Sequence, residues 1–549
     1  MSRRERLTLI ATILGSTIVF LDSTVVNVAL PAIQDDLDTG LAGQQWVVEG
    51  YMLTLVALLL VGGSLGDLYG RRRLFSIGLA GFGVTSVLCA VAPSEGALIG
   101  ARALQGTAGA LLVPGSLAIL AATFEGEARG RAVGIWTAWS GISTLLGPAG
   151  GGLLVELDWR WIFWVNVPLV LGTLLLTHRA VSESADPEAC PGIDGPGIGL
   201  SALGLGGPVF ALIEQPTRGW GDPLVAIPLV AGVACFAAFI GWEARSRAPM
   251  LSLSLFRIRN FAVVNLETLT VYGGLIGTTF FLTLYLQQVL GYSPFEAGLA
   301  STPVTVVMFV LSGRFGALAA RIGPRVPLAV GPMVGAAGLA LLIRVDRNAD
   351  YVVDILPAML LFGLGLALTV APLTTTILNS VAERNMGVAS GVNNAVARVA
   401  GLLAIAALGA VISAQFSSSL DGRLGEDRLG AQASQVVDGA KAQPLAGGDS
   451  SDLPPAQREA LDADIVASSE SAFQLGAGIG AGLMLVGGLI ALVSVRNPER
   501  AGRPEHEHAP GPAATAGECG RTSQGAETSP VPGTLVPEPV APGSPETRV

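Results

Sequence analysis

An acidic residue lies deep inside the first apolar segment of the chain. Asp22 is surrounded by a run of mostly apolar residues that extends from Leu7 to Pro31. A charged side chain at such a depth in hydrocarbon costs several kcal/mol unless it is paired, hydrated or protonated. Asp22 is therefore either a chemically active acid or a group that simply hydrogen-bonds a neighbouring helix.

A basic residue lies in the same way inside a later apolar segment, residues 97–121. Arg102 is followed one helical turn later by Gln105, so a cation and an amide share one face of the predicted helix. An arginine at this depth in a membrane is by default a functional hypothesis. The alternative is that its long side chain extends to the membrane surface.

Glycines, an aspartate and arginines form a motif between the second and third apolar segments. This motif, residues 63–73, places Asp67 among turn-forming glycines, and a related motif at 316–325 repeats some of its glycine and arginine positions. A plain loop held on the cytoplasmic side by positive charge accounts for the arginines, but not for Asp67 or the second copy. The motif predicts a gating latch formed by Gly63, Asp67, Gly70, Arg71, Arg72, Gly323 and Arg325.

The elements that must position these residues are membrane-spanning helices. Hydrophobic residues make up 51% of the 549-residue chain and charged residues 13%, whereas soluble proteins contain about 25% charged residues. A helix crosses the bilayer core with about 20 apolar residues, and runs of that length recur along the chain. We predict an all-α membrane protein with fourteen spans, near residues 7–31, 46–66, 73–92, 97–121, 132–154, 161–178, 193–213, 224–243, 261–288, 297–319, 327–345, 354–377, 391–414 and 471–495.

The predicted spans divide into two six-helix bundles with two helices between them. The N-terminal bundle comprises residues 1–192, the linker helices 193–243, and the C-terminal bundle 244–496. The polar stretch at about 415–470 is predicted to be an extracellular loop with some helix, and residues 497–549 a disordered cytoplasmic tail. Arginines in alternate short loops predict a multi-pass protein of the cytoplasmic membrane with both termini in the cytoplasm.

Several motifs together resemble the major facilitator superfamily, and in particular its drug:proton antiporter branch with fourteen spans. They are the loop motif at 63–73, Leu21-Asp22-Ser-Thr24-Val-Val-Asn27-Val-Ala-Leu-Pro31, Arg102-Ala-Leu-Gln105-Gly106 and Gly147-Pro148-Ala-Gly-Gly151-Gly152. The resemblance covers roughly residues 1–500. It implies that Asp22 takes part in proton or cation coupling and that Arg102 adjusts the proton affinity of a nearby carboxylate.

The same resemblance assigns a motif to the fifth predicted span. It implies that the antiporter motif, which closes the path against leak, is formed by Gly147, Pro148, Gly151 and Gly152. Pro148 removes one backbone hydrogen bond and bends the helix. Tight packing of small residues against a neighbouring helix is the alternative explanation.

Other polar and aromatic side chains in apolar segments are further candidates. Glu49 and Glu267 are candidates for proton coupling, and Glu267 also for binding a cationic substrate. Candidates for lining a central cavity are Gln105, Trp136, Trp139, Tyr285, Asn393, Asn394 and Arg398. Aromatic rings stack on cationic ligands, but near span ends they more often anchor a helix at the membrane surface. The polar residues of the thirteenth span equally predict bridges between helices.

Together these features predict an alternating-access transporter that exports amphipathic drugs or antibiotics in exchange for protons. The proton gradient is the expected energy source, and the expected partners are a small-molecule substrate, protons and membrane lipids. No enzyme, cofactor, metal or nucleic acid is expected, because the three histidines lie in loops or the tail and no Walker motif occurs. Two alternatives stay open: a transporter of a narrower substrate, such as a metabolite or lipid, and a transporter-like membrane sensor.

Overall fold

Helices account for the regular structure in the part of the chain that the structure describes. The computed structural model describes residues 1–185, 194–246, 251–382, 386–424, 431–446 and 453–497. Within these ranges, twelve helices are long and apolar enough to cross a membrane, or thirteen if the bent pair Leu41–Leu59 and Val61–Tyr69 is one span. The predicted all-α membrane architecture is confirmed. The prediction of fourteen spans is compatible with this number. The helix Gly126–Val155 corresponds to the predicted span at 132–154 and is not among the thirteen.

The N-terminal part contains long helices whose ends carry polar caps or glycines. Ser2 and Ser94 accept hydrogen bonds from backbone amides in the first turns of their helices, which satisfies donors that a helix start leaves free. Gly70, with φ of +104°, separates the second helix from the third. The helices are α1 (Arg3–Leu37), α2 (Leu41–Tyr69), α3 (Arg71–Ala90), α4 (Glu95–Thr123), α5 (Gly126–Val155), α6 (Trp161–Trp164) and α7 (Asn166–Ala180).

Two further helices follow before the C-terminal part. These linker helices are α8 (Gly195–Arg218) and α9 (Pro223–Glu243). The C-terminal part contains α10 (Arg259–Gln288), α11 (Pro294–Ala300), α12 (Thr302–Ile322), α13 (Arg325–Leu341), α14 (Leu356–Asn379), α15 (Met386–Leu424), α16 (Ala431–Ala442) and α17 (Pro455–Ser494). Short 3-10 helices occur at Leu253–Arg257 and Leu342–Arg344, and a π-helix at Tyr351–Ile355.

The long helices run between two ends of the molecule, which we name by their residues. The arginine-rich end holds the starts of α1, α3, α10 and α13, where arginines cluster. The seam end holds the end of α1, the start of α2, the end of α10 and the start of α11. We call α1–α7 the N-terminal half and α10–α17 the C-terminal half. Hydrogen bonds join the two halves at the seam end, for example from Gln287 Nε2 to the carbonyl of Val28 at 3.2 Å.

The buried apolar side chains show how the two halves meet. Near the seam end, one core cluster includes side chains of both halves, such as Val26 and Leu284. Toward the arginine-rich end, the N-terminal half has its own core around Phe75 and Phe82, and the C-terminal half has another around Phe261 and Leu328. The halves therefore share a core at the seam end and have separate cores at the arginine-rich end.

Four glutamines close the seam end. The amide oxygen of Gln34 in α1 accepts hydrogen bonds from Gln44 Nε2 at 2.5 Å and Gln288 Nε2 at 3.1 Å. The Nε2 group of Gln34 donates to Gln443, which follows α16, at 3.1 Å. These bonds join both halves and the segment between α15 and α17 through neutral groups.

The predicted extracellular loop at about 415–470 contains three pieces of helix. Helix α15 continues to Leu424, α16 follows, and α17 begins at Pro455. Val437 and Leu445 are buried in the shared core, so this segment covers the seam end. The predicted tail lies outside the described residues except for Asn497.

The linker helices pack on one side of the two halves. Side chains of α8, including Val209 and Ile213, form a cluster with Leu402 and Ala406 of α15 and with the start of α2. Trp46 Nε1 of α2 donates a hydrogen bond to Glu214 of α8 at 3.1 Å. Helix α8 therefore bridges α2 and α15 near the seam end.

Candidate functional site

The structure brings Asp22 and Arg102 together inside the N-terminal half. Arg102 Nη1 lies 2.5 Å from Asp22 Oδ2, and each side chain is 1% exposed. Asp22 Oδ1 accepts two more hydrogen bonds, from Gln105 Nε2 at 3.0 Å and from Asn166 Nδ2 at 3.1 Å. Three helices, α4, α7 and α1, thus meet at one carboxylate.

Arg102 is held by several groups besides Asp22. Its Nε donates to the carbonyl of Val47 in α2 at 3.0 Å, and its Nη1 donates to Gln105 Oε1 at 2.6 Å. The guanidinium carbon lies 4.3 Å from the ring centroid of Tyr51, a distance at which the face of the ring attracts a cation. Arg102 is therefore fixed inside the bundle and does not extend to the membrane surface.

This network explains how two charges persist in a dry interior. Removing an ion pair from water is costly, and the pair is stable only with good geometry and further hydrogen bonds to both partners. Here Asp22 accepts from three side chains and Arg102 donates to a carboxylate, an amide and a carbonyl. The carboxylate of Asp22 and the guanidinium of Arg102 can therefore neutralise each other inside the bundle.

Several members of the network were absent from the sequence-based candidates. Ser86 of α3 accepts hydrogen bonds from Gln105 Nε2 at 3.0 Å and Asn166 Nδ2 at 3.3 Å. Tyr51 donates through its hydroxyl to the carbonyl of Val19 at 3.3 Å. The available signal was the presence of polar side chains within apolar runs, which does not reveal which of them face one another.

Glu49 and Glu267 lie apart from this network. Both side chains are completely buried, and neither carboxylate has a hydrogen-bond partner in the described residues. Glu49 lies one turn after Gln45, whose Nε2 donates to the carbonyl of Ile405 in α15 at 2.7 Å. Glu49 is thus on the face of α2 that is turned toward α15. Glu267 belongs to α10, between the core residues Val264 and Val271.

The aromatic cavity candidates occupy different environments. Trp136 is buried, and its Nε1 donates to Ser16 Oγ in α1 at 3.0 Å, whereas Trp139 is 50% exposed. Tyr285 is buried in the C-terminal half and stacks on Phe473 with ring centroids 4.2 Å apart. Trp136 and Tyr285 therefore pack between helices.

The three polar candidates of α15 also differ from one another. Asn393 Nδ2 donates to Thr268 Oγ1 of α10 at 2.8 Å, which bridges two helices. Asn394 is exposed and donates to the carbonyl of Ser390 in its own helix. Arg398 reaches the other half of the chain, where its Nη1 lies 4.0 Å from Met52 Sδ and its guanidinium 5.9 Å from the Phe20 ring.

The first loop motif forms a compact turn at the arginine-rich end. Arg71 Nη2 pairs with Asp67 Oδ1 at 2.7 Å across the turn at Gly70. Arg72 Nη2 lies 3.0 Å from His178 Nδ1. Gly63 lies earlier in α2, where an added Cβ would make ordinary contact with Pro114 of α4.

A carboxylate from after α7 completes this turn. Glu183 accepts hydrogen bonds from the backbone amides of Arg72 at 3.0 Å and Arg73 at 3.1 Å. These amides are in the first turn of α3, where a negative charge is favoured by the helix dipole. An added Cβ at Gly70 would collide with the Glu183 carboxylate.

The second loop motif repeats this geometry with a neutral side chain. Gly323 has φ of +90°, and Asn497, which follows α17, accepts a hydrogen bond from the backbone amide of Arg325 at 3.1 Å. Arg325 Nε donates to the carbonyl of Leu492 at 2.7 Å. Asn497 thus takes the position at α13 that Glu183 takes at α3.

The glycines of α5 allow two close helix contacts. An added Cβ at Gly147 or Gly151 would collide with side chains of α1, at Thr24 and Val25 respectively. An added Cβ at Gly152 would overlap the backbone of Pro294 and Phe295 at the start of α11. Gly298 of α11 in turn faces the backbone of Pro148. Helix α5 therefore packs closely on α1 and joins the two halves at the seam end.

A metal centre is not evident in the described part of the chain. There, no group of three or more His, Cys, Asp or Glu side chains is arranged to hold a metal ion.

Comparison with known proteins places the chain among membrane transporters. The family model described as Major Facilitator Superfamily matches residues 12–405. The chain is similar to the multidrug resistance protein Stp of Mycobacterium tuberculosis, with 39% identity over 77% of this chain and 79% of the relative. It is also similar to the tetracenomycin C resistance and export protein of Streptomyces glaucescens, with 35% identity over 93% and 95%. The multidrug efflux pump LfrA of Mycolicibacterium smegmatis is 34% identical over 87% and 94%.

Solved structures show the same fold at low sequence identity. A bacterial homologue of the human lysosomal transporter Spinster, in an inward-facing and unoccupied conformation, has a TM-score of 0.61 and 17% identity. The match covers 91% of this chain and all of that one. A peptide transporter, POT, solved with sulfate, has a TM-score of 0.57 and 14% identity over 88% and 93%.

Proposed function

The chain belongs to the major facilitator superfamily, and on that premise we propose that it is a proton-coupled antiporter that exports amphipathic drugs or antibiotics across the cytoplasmic membrane. Three relatives that are similar over most of their length are named for multidrug resistance, for tetracenomycin C resistance and export, or for multidrug efflux. These names support export of a small organic molecule over uptake.

The observation that carries the proton coupling is the buried pair of Asp22 and Arg102. The pair lies 2.5 Å apart and is almost inaccessible to water. A proton that binds Asp22 cancels its charge and removes the reason for Arg102 to remain there, because an unpaired buried cation is unfavourable. Proton binding therefore changes the stability of this packing, which is the property that coupling requires.

The conformation fits the state of such a cycle in which the protein faces the cytoplasm. If the arginine-rich end faces the cytoplasm, as positively charged loops do, the two separate cores lie on the cytoplasmic side and the shared core joins the halves on the outer side. In this state Asp22 keeps its bonds to Arg102, Gln105 and Asn166, which is the arrangement that we assign to the protein after the proton has left toward the cytoplasm. The protein is then ready to take up substrate from the cytoplasm.

Helix α1 connects the acid to the outer closure. It carries Asp22 in its middle and packs on α5, α10 and α11 at the seam end. A shift of α1 on protonation therefore acts on the contacts that hold the halves together. Alternating access by a rocking motion about a central site follows from this arrangement.

A narrower substrate is the second candidate function. The relative that matches the largest share of this chain among those described above is named for one compound, tetracenomycin C. Members of one transporter fold handle unrelated substrates, so export of a single antibiotic with the same proton coupling is the competing proposal.

The test is the efflux of ethidium from energised cells that express the full chain. We expect efflux that a protonophore abolishes and that is lost in Asp22→Asn, because the amide cannot exchange a proton. Asp35→Asn is the matched control, since Asp35 is an exposed acid in the same helix.

The outcomes separate the two candidates. Protonophore-sensitive efflux that depends on Asp22 but not on Asp35 supports the multidrug antiporter. Absence of ethidium efflux, together with protection of cells against a single antibiotic, favours the narrower exporter. No flux of any tested compound, by the wild type or by Asp22→Asn, would point to a membrane sensor and contradict the proposal.

A further inference from the structure

Asn166, a member of the buried network, has a side-chain oxygen that accepts no hydrogen bond from the described residues. Asn166 is the first residue of α7 and is completely buried. Its Nδ2 donates to Asp22 Oδ1 at 3.1 Å and to Ser86 Oγ at 3.3 Å. Its Oδ1 is buried and has no hydrogen-bond partner in the described residues. A buried carbonyl without a donor is unfavourable, so its position calls for an explanation.

The difference between the ionised and the protonated state of Asp22 explains the position of this oxygen. An ionised carboxylate only accepts hydrogen bonds, whereas a protonated one also carries an O–H donor. The other amide beside Asp22 belongs to Gln105, whose Oε1 already accepts from Arg102 at 2.6 Å and from Cys89 at 3.6 Å. Of the two amides beside Asp22, only that of Asn166 therefore has an oxygen that is free to accept a hydrogen bond.

We propose that Asn166 is a positioning residue whose amide responds to the protonation of Asp22. With Asp22 ionised, Nδ2 donates to its Oδ1, as observed. When a proton arrives on Asp22, the Asn166 amide rotates by half a turn, and its Oδ1 accepts the new O–H. No covalent bond of Asn166 changes, and the proton stays on Asp22. This inference rests on the proposed role of Asp22 in proton coupling.

Other groups around Asp22 also affect its charge. The charged or titratable groups that face it are Arg102 from α4, Tyr51 from α2 and Cys89 from α3. The other hydrogen-bond partners of Asp22 are the uncharged amides of Gln105 from α4 and Asn166 from α7, and both amides also bond Ser86 of α3. Replacing Asn166 by an uncharged residue therefore leaves every charge of the site in place.

The test measures proton release directly. Full-length protein in detergent, in weakly buffered solution at a series of pH values, receives ethidium, and a pH-sensitive dye reports the protons released. The pH at which release is half-maximal is compared between the wild type, Asn166→Leu and Asn166→Asp. Thr173→Val is the matched control, because Thr173 is a buried polar residue two turns further along α7 and bonds only its own helix, at Leu169.

Asn166→Leu is expected to move the midpoint upward by about one pH unit, because a donor to a charged group is worth more than an acceptor of a neutral one. Asn166→Asp is expected to move it further upward, since two adjacent carboxylates do not both ionise readily. Thr173→Val should leave it unchanged. Asn166→Asp is close in shape to the native side chain and decides the matter if Asn166→Leu does not fold.

The outcomes distinguish the inference from the proposed function beneath it. Absence of proton release from the folded wild type would contradict the proton coupling itself. Normal release by the wild type with the same midpoint in both Asn166 variants would overturn the role of Asn166 alone. A shift of the same size in Thr173→Val would also overturn it, because the effect would then come from general packing of α7.

Discussion

The two halves of the chain each bury a carboxylate in the helix with which they begin, but they treat it differently. Asp22 in α1 pairs with Arg102 and accepts hydrogen bonds from two amides. Glu267 in α10 is equally buried but has no hydrogen-bond partner in the described residues. An ionised carboxylate without partners is very costly in an apolar interior. The N-terminal half therefore supplies partners for a buried charge, whereas the described surroundings of Glu267 supply no hydrogen-bond partner.

The arginine-rich end repeats this contrast on a smaller scale. The carboxylate of Glu183 caps α3, and the neutral amide of Asn497 caps α13. The motif before α13 also has Ala320 where the first motif has Asp67. Similar backbone turns thus carry carboxylates in one half and not in the other, so steps that depend on these negative charges are expected to depend on the N-terminal half.

Replacing one buried ionisable side chain in each half should give the largest difference. Arg102→Gln leaves Asp22 buried without its cation, and loss of one partner of a buried pair costs about 3–5 kcal/mol. Glu267→Gln removes no observed contact and should change the free energy of unfolding by less than about 1 kcal/mol. Thermal unfolding of both purified variants in detergent measures the difference.

A double variant controls for loss of packing at Arg102. Asp22→Asn combined with Arg102→Gln leaves no unpaired charge and should recover part of the stability lost by Arg102→Gln alone. If Glu267→Gln were as destabilising as Arg102→Gln, the contrast between the halves would be wrong, because Glu267 would then have an ionic partner.

The closure between the halves should respond to a single methyl group. Gly152→Ala places a Cβ against the backbone of Pro294 and Phe295, and such overpacking costs about 1–3 kcal/mol. The closed seam end should lose on the order of tenfold in population, and ethidium efflux should fall with it. Cross-linking of cysteines introduced on α5 and α11 measures the closure.

Gly150→Ala is the matched control in the same helix. Nothing lies within 4 Å of an added Cβ at Gly150, so efflux and cross-linking should match the wild type. Equal losses in both variants would mean that α5 tolerates no alanine in this stretch for reasons of its own, and that the contact with α11 does not explain the glycine.

The two helix caps should give the smallest effects and differ mainly in their response to salt. Removing a cap costs about 1 kcal/mol. Glu183→Ala should open the first turn of α3 more in dilute buffer than at about 1 M salt, because salt screens the exposed carboxylate. Asn497→Ala should open the first turn of α13 equally in both. Amide hydrogen exchange at Arg72 and Arg325 measures the two openings.

If opening of the first turn of α3 in the wild type did not depend on salt concentration, this account would be wrong. Glu183→Gln provides the intermediate case, since its amide can still accept a hydrogen bond without the charge. It should retain part of the protection of the first turn of α3 and behave as Asn497 does toward salt.

The sequence predicted the helices and the two central charges because both have local signatures. An apolar run of about 20 residues is visible without any knowledge of its neighbours. Asp22 and Arg102 stand out because ionisable residues are rare in such runs. The loop motifs were visible as well, since glycine and arginine positions repeat at 63–73 and 316–325.

The partners of these residues were not predictable in the same way. Asn166 and Ser86 are ordinary polar residues in helices, and only packing of α7 and α3 against α1 brings them beside Asp22. Glu183 and Asn497 lie far from the turns they cap, 111 and 172 residues away from Arg72 and Arg325. The environments of Trp136 and Tyr285, buried between helices, likewise follow from helix packing.

The sequence by itself therefore determined which segments enter the membrane and that Asp22 and Arg102 had to be accommodated there, because the cost of exposing a charge or a backbone amide to hydrocarbon is a property of each segment alone. Only the tertiary structure decided that these charges neutralise each other and that Glu267 and Glu49 have no hydrogen-bond partner among the described residues. It also decided that the halves share a core at one end and not at the other. Such outcomes depend on which faces of distant helices meet, and hydrogen bonds and close packing act only over a few ångströms.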